Sequence, residues 1–278
     1  MAAVGPTNLL IGAAPTRGPM GTPATGYKLA LLPRFGLTFD EQPVEVTLRS
    51  QRLLVLLVIE RSRVRRSYLA GTLWPDGTEE RASASLRSAL WMLRHELRGI
   101  VVATGQHLEL SPDVQVDYHA AVDLGAYLVG GETRSDGLGS DEHLLWYDLL
   151  PEWSEDWLLV EQERFRQMRL HALEALCARL VSNGMTGRTI HTALRAIAAE
   201  PLRESSHRVL IRAHIAEGNL SEALRQSRLF ERLLRDELGI EPSAEFRHLT
   251  ADLLPRASGD ARAAVDDISR TGSWVTAR

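Results

Sequence analysis

Cysteine is almost absent: Cys177 is the only one in 278 residues, so neither a disulfide framework nor a cysteine-based metal site can be assembled within the chain. Lysine is as scarce, Lys28 being the only one among 32 Lys and Arg, a bias that a GC-rich genome produces as readily as function does. No apolar run approaches the ~18 residues of a membrane span. The longest near the start, Leu9 to Ala14, is broken by Gly12 and has no basic segment before it, so it does not read as a secretory leader. A reducing, cytoplasmic location without a membrane partner is the expectation. Catalytic signatures are missing too: the nine His are scattered without H-x-x-x-H or H-E-x-x-H spacing, and no phosphate-binding loop or G-x-S-x-G elbow occurs. No enzyme, no cofactor and no metal are expected.

What is present is ordinary globular material, 44% hydrophobic and 24% charged, long enough for two domains. The net charge of −4 hides a local asymmetry. From Arg49 to Arg98 ten Arg face five acids, a balance of +5, whereas from Asp136 to Glu163 nine acids meet no Lys or Arg. A cationic stretch of this kind is a candidate footprint for a polyanion.

Pattern divides the chain into a Gly/Pro/Thr/Ala-rich leader over residues 1–26, a mixed α/β unit over 27–117, an all-helical unit over 118–255 and a second polar tail over 256–278. The first and last are expected to be disordered. In the mixed unit Leu29 to Leu32, the alternating Phe35, Leu37 and Phe39, and Val44 and Val46 read as a short antiparallel meander. A strongly apolar helix follows over Leu48–Ile59. A second helix over Arg65–Trp74, with Tyr68, Leu69 and Leu73 inward, is stopped by Trp74-Pro75-Asp76-Gly77. Thr78 can cap a third helix, Glu79 and Glu80 complementing its dipole, that runs to about Arg98. Ile100 to Ala103 and His107 to Leu110 then make a hairpin about Thr104-Gly105-Gln106.

Helix, helix, tight turn, long helix and hairpin in this order is what a winged helix-turn-helix requires, the third helix entering the major groove and the hairpin reaching flanking backbone or minor groove. On a wheel of about 100° per residue, Ala82, Leu86, Ala89, Leu90, Leu93 and Leu97 form one stripe of the third helix. The opposite side carries Arg81, Ala84, Ser85, Ser88, Trp91 and His95, with Arg87 and Arg94 on a shoulder. Small residues admit the backbone to a groove while Arg and Ser reach base edges and phosphates; an ordinary solvated face is the competing explanation. Trp91 points to a partner surface, or else packs against the hairpin or a second subunit. Arg63, Arg65 and Arg66 at the second helix, Arg49 and Arg52 at the first, and Thr104, Gln106 and His107 at the hairpin tip are further candidates for duplex contact. Some of these arginines and the tip itself are equally read as plain surface.

In the helical unit, segments are expected at about 119–130, 155–182, 186–199, 203–217, 220–238 and 243–254. Gly184 and Gly218 lie 34 residues apart, with Ile190 matching Leu224, which is the tetratricopeptide (TPR) period; a generic helical bundle is the alternative. Trp146, Tyr147, Trp153 and Trp157 either anchor a domain interface or line a partner site.

Four segments then carry a family likeness: Arg49-Ser50-Gln51-Arg52-Leu53-Leu54, Leu69-Ala70-Gly71-Thr72-Leu73-Trp74-Pro75-Asp76, Ala82 through Arg94, and Asp236-Glu237-Leu238-Gly239-Ile240-Glu241-Pro242-Ser243-Ala244-Glu245. With the strand pair about Phe35-Gly36-Leu37, they resemble the antibiotic regulatory protein (SARP) type of actinobacterial transcriptional activators from about Lys28 to Leu254. The resemblance implies an OmpR-type winged helix that binds direct repeats in promoter DNA. It also implies a helical bacterial transcriptional activation domain that supports a homodimer and contacts RNA polymerase. No ATPase module follows and no receiver domain precedes within these residues, so control by ATP or phosphate on this chain is not expected. The reading from a different class is a protein-interaction adaptor whose winged helix and repeats bind only proteins.

Overall fold

The computed structural model describes residues 26–130 and 140–251. The leader expected before Gly26, the tail expected over 256–278, Asp136 and the last residues of the helix expected over 243–254 lie outside the described residues.

The meander forms as β1 (Tyr27–Ala30), β2 (Gly36–Phe39) and β3 (Gln42–Pro43). Leu29 stands opposite Leu37, and both side chains are buried. The β2–β3 turn is made by Asp40 and Glu41, which both take positive φ (49° and 66°), so that Gln42 and Pro43 pair back onto β2. A further strand, β7 (Gln115–Val116), returns parallel to β1 and completes a sheet in the order β3-β2-β1-β7.

After this meander comes α1 (Leu48–Glu60), capped by Thr47, whose hydroxyl accepts the Ser50 N–H. Every side chain from Leu53 to Val58 is buried, so α1 is the central helix, walled on all sides along that run. Between α1 and α2 (Arg66–Leu73) the chain makes a two-residue strand, β4 (Val64–Arg65), too short to leave a signal in the sequence. It pairs with β6 (His107–Leu110), which itself pairs with β5 (Val101–Thr104). Tyr68, expected inward, is 50% exposed and donates its hydroxyl to Glu60 at 2.8 Å. Eight residues of α2 leave room for one inward stripe only, and Leu69, Ala70 and Leu73 fill it.

The second unit comprises α4 (Asp117–Gly130), a 3-10 turn over Ser140–Trp146, and α5 (Asp156–Ser182), α6 (Thr186–Ala199), α7 (Glu204–Ala216), α8 (Leu220–Leu238) and α9 (Ala244–Ala251). Its repeat is written in the backbone. Gly184 and Gly218 both adopt left-handed φ (70° and 77°). At each, two amides double back on the preceding helix: Gly184 N to Val181 O and Met185 N to Leu180 O, then Gly218 N to Ile215 O and Asn219 N to His214 O. The same glycine-terminated motif recurring at the same interval makes α5/α6 and α7/α8 equivalent hairpins, which is the TPR-like arrangement.

The two units share one core. Leu149, Leu150, Leu158 and Phe165 are packed into the cluster built by α1, α2, the long helix α3 (Glu79–Glu96) and the sheets. Leu150 N–H donates to Leu31 O at 3.1 Å, while the Leu31 and Leu32 amides donate to the Asp117 carboxylate. Burial pushes the Asp117 carboxyl up from its ordinary value against these backbone donors, which pull it down. Trp153 stacks on Phe35 (6.4 Å) and Trp157 packs on the same cluster, so both anchor the interface. Withdrawing each of the four apolar residues into water costs about 1.5–3 kcal/mol, which holds the units together as a single body.

Candidate nucleic-acid interface

The interface is organised by α3 (Glu79–Glu96). Thr78 accepts the Arg81 N–H with its hydroxyl at 3.4 Å. Glu79 and Glu80 lie in the first turn and Arg94 and His95 in the last, each charge opposite to the adjacent end of the helix dipole. Ala82, Leu86, Ala89, Leu90, Leu93 and Leu97 are all buried. The other side is open: Arg81, Ala84, Arg87, Ser88, Trp91, Arg94 and His95 are exposed and Ser85 is half-buried. Trp91 lies 64% exposed with its ring parallel to that of His95, so it packs against neither hairpin nor core.

The β4–β6 pairing gathers the remaining candidates. Arg65 stands opposite His107, and Thr104 opposite His107 across the β5–β6 hairpin. Arg66 donates its amide to Gln106 O at 2.9 Å and its Nε to Gly105 O at 3.4 Å. Arg66 therefore fastens the hairpin tip to the head of α2, with its terminal guanidinium nitrogens left over. Arg65, Thr104 and Gln106 are exposed beside it, and His107 is half-buried.

Other arginines from the basic stretch are committed elsewhere. Arg52 bonds Leu73 O and pairs with Glu155, Arg63 forks onto both oxygens of Glu109, and Arg61 pairs with Asp123. Arg52 and Arg63 were candidates for phosphate contact; their charge is already compensated. Arg98, just beyond α3, is exposed and has no ion pair with a described residue; it was counted in the basic stretch without being assigned.

Most arginines of the helical unit are compensated, although Arg228 and Arg232 on α8 are exposed without an ion pair to a described residue. In the helical unit Arg164, Arg166, Arg169, Arg188, Arg203, Arg208, Arg212, Arg225 and Arg235 each meet a carboxylate. Arg195 lies over the Trp146 ring. The acidic run is thereby mostly consumed: Glu142, Asp148, Glu155, Glu161 and Glu163 are all paired with arginines. Arg65, Arg81, Arg87 and Arg94, in contrast, form no ion pair with any described residue. Cys177, buried under α6, has its thiol pushed up to about 12 by that burial, which keeps it unreactive.

The fold is a winged helix-turn-helix joined through a common core to an all-helical TPR-like domain. Residues 144–254 match the family model of the bacterial transcriptional activator domain. Among solved structures the chain is similar to Mycobacterium tuberculosis EmbR in complex with a low affinity phosphopeptide, with a TM-score of 0.64 and 23% identity over 84% of this chain. At that identity the likeness is one of fold, and the present chain spans about 65% of the other's length. No curated protein matches the sequence. The family model covers the helical unit, and the structural likeness extends to the winged helix in front of it as one of fold. No helix among the described residues is long and apolar enough to cross a membrane.

Proposed function

We propose that the chain is a transcriptional regulator of the SARP type that binds double-stranded promoter DNA with α3 in the major groove and the β5–β6 tip against flanking backbone or minor groove. In this reading Ser85, Ser88, Arg87, Arg94, Trp91 and His95 face base edges and nearby phosphates, Arg81 meets backbone, and Arg65, Arg66, Thr104, Gln106 and His107 hold the flank. The observation that carries it is the set of arginines exposed on α3 and beside the hairpin that no carboxylate of a described residue compensates. A duplex concentrates negative charge, and binding releases counterions for each phosphate neutralised; arginines already paired within the protein cannot contribute, whereas Arg65, Arg81, Arg87 and Arg94 of the winged helix are free, as Arg228 and Arg232 of α8 also are. Contacts of the helical domain with RNA polymerase, assembly of two copies on direct repeats, and a cytoplasmic site of action belong to the same proposal, supported by the bacterial transcriptional activator domain match.

The test is equilibrium binding of the full chain to duplexes from the region upstream of its own gene, at several salt concentrations, against scrambled duplexes of equal length. Specific binding retained above the scrambled background supports the reading. Retention that is equally weak on every sequence and vanishes with salt favours the protein-interaction adaptor instead.

A further inference from the structure

Among the described residues Trp91 is the most exposed large aromatic side chain, and it stands on the centreline of the free face of α3. At about 100° per residue, Ala84 lies nearly in line with it, and Arg87, Ser88, Arg94 and His95 fall within about 60° on either side. Its ring and that of His95 are parallel, with an interplanar angle of 2° and centroids 5.5 Å apart. The histidine one turn on thus holds the indole in one orientation before any partner arrives, which removes part of the ordering cost of binding. Ala84 and Ser88, two turns and one turn earlier, are too short to keep a flat surface away from the helix.

We propose that Trp91, positioned by His95, recognises the 5-methyl group of a thymine in the major groove. This rests on the duplex-binding reading of α3. The floor of the major groove is a row of hydrogen-bond donors and acceptors interrupted by one apolar feature, the thymine methyl. Arginine and serine satisfy the polar edges. An indole lowered among those edges desolvates its face without return unless a methyl lies beneath it. A protein surface as the occupant fits the same face poorly, because it would have to compensate Arg87 and Arg94, which flank the indole without an ion pair to any described residue. The phosphates bordering a groove supply that compensation.

The experiment begins with a duplex selected by the full chain from a randomised pool. Each thymine in the bound segment is replaced in turn by deoxyuridine, which lacks only the methyl. Replacement at one or two adjacent positions is expected to weaken binding about four-fold, the worth of one buried methyl-sized group. Trp91→Ala should weaken binding of the unmodified duplex and abolish the thymine–uracil difference, while Trp91→Phe retains part of it. Because the side chain is exposed, thermal melts confirm that both variants fold as the parent does. Uracil tolerated at every position, or a thymine–uracil difference that survives in Trp91→Ala, overturns the proposal while specific duplex binding stands. Selection that enriches no sequence overturns both the proposal and the reading beneath it. Unchanged duplex affinity with weakened self-association in Trp91→Ala assigns the indole to a protein contact and also overturns it.

Discussion

Arg52 of α1 and Glu155 at the head of α5 form an ion pair of 2.6 Å between side chains that are each about one-quarter exposed, at 22% and 28%. Arg52 also donates to the Leu73 carbonyl at the end of α2, so one guanidinium joins three helices from two units. A cleft of about 510 Å³ opens beside it, lined by Trp74 to Gly77, Arg81 and Ser85 on one side and Ser154 to Asp156 on the other. The helical domain therefore borders the turn before α3 and the N-terminal end of the proposed recognition face. Glu155→Arg places two cations together and is expected to lower stability by about 1–2 kcal/mol, between the values of exposed and buried pairs. Arg52→Glu in the same chain should restore part of the loss. Denaturant midpoints of the two single variants and the double variant measure the coupling, and additivity of the single effects would deny that the pair matters.

Arg87 and Arg94 are exposed and make no ion pair with a described residue, so their removal should leave folding nearly untouched, within about 0.5 kcal/mol. Duplex affinity should fall in Arg87→Ala and Arg94→Ala. Where the lost contact is a phosphate, the slope of log K against log salt should shrink by about 1. Titrations of both single variants and the double variant at three salt concentrations check this. Unchanged affinity in all of them removes the recognition-helix assignment.

Gly184 and Gly218 occupy left-handed backbone at equivalent turns, and neither Cβ would meet a neighbouring atom. The cost of alanine there is conformational alone, about 1–2 kcal/mol at each position. Gly184→Ala and Gly218→Ala should therefore lower the melting temperature by similar amounts. A large difference between them would break the equivalence of the two hairpins.

His207 is 1% exposed. Its Nε2 faces Pro201 O at 2.9 Å, its Nδ1 faces the Gln226 amide nitrogen at 2.7 Å, and its ring stacks on Phe230. Nε2–H donating to the carbonyl while Nδ1 accepts from Gln226 is the neutral imidazole that satisfies both. Burial holds its pKa below the ordinary 6.5, and burial lowers that of His119, whose Nε2 lies 2.8 Å from Val58 O, in the same direction. The unfolded chain binds these protons more readily than the folded one. The stabilising contribution is complete above about pH 6.5 and is lost as the pH falls from there toward the lowered folded values. Urea midpoints should drop between pH 7.5 and 5.5, and drop less in His207→Gln. An equal drop in that variant would exclude His207 as a source.

The two faces of α3 were legible because they are set by spacing alone: the leucine stripe, the Thr78 cap and the opposite arginines and serines are all local. Tyr68 was misread for a related reason. A helix of eight residues holds too few turns for periodicity to separate an inward position from its neighbour. β4 was missed because two residues carry no alternation, and its existence depends on a partner strand beyond α3. The acidic run contains no cation of its own because its partners come from α1, α5 and α6.

Sequence by itself determined the order of elements, the glycine-terminated hairpins and which side of α3 is apolar, since these depend on residues within a few positions of one another. Tertiary structure alone decided which cations are free. Arg63 and Glu109 are 46 residues apart and Arg188 and Glu142 equally so, and whether such charges meet depends on how the chain folds back. It also decided that the two units share a core, because an apolar side chain such as Leu149 or Phe165 is excluded from water by whichever surface lies nearest, and its own sequence does not say which surface that is.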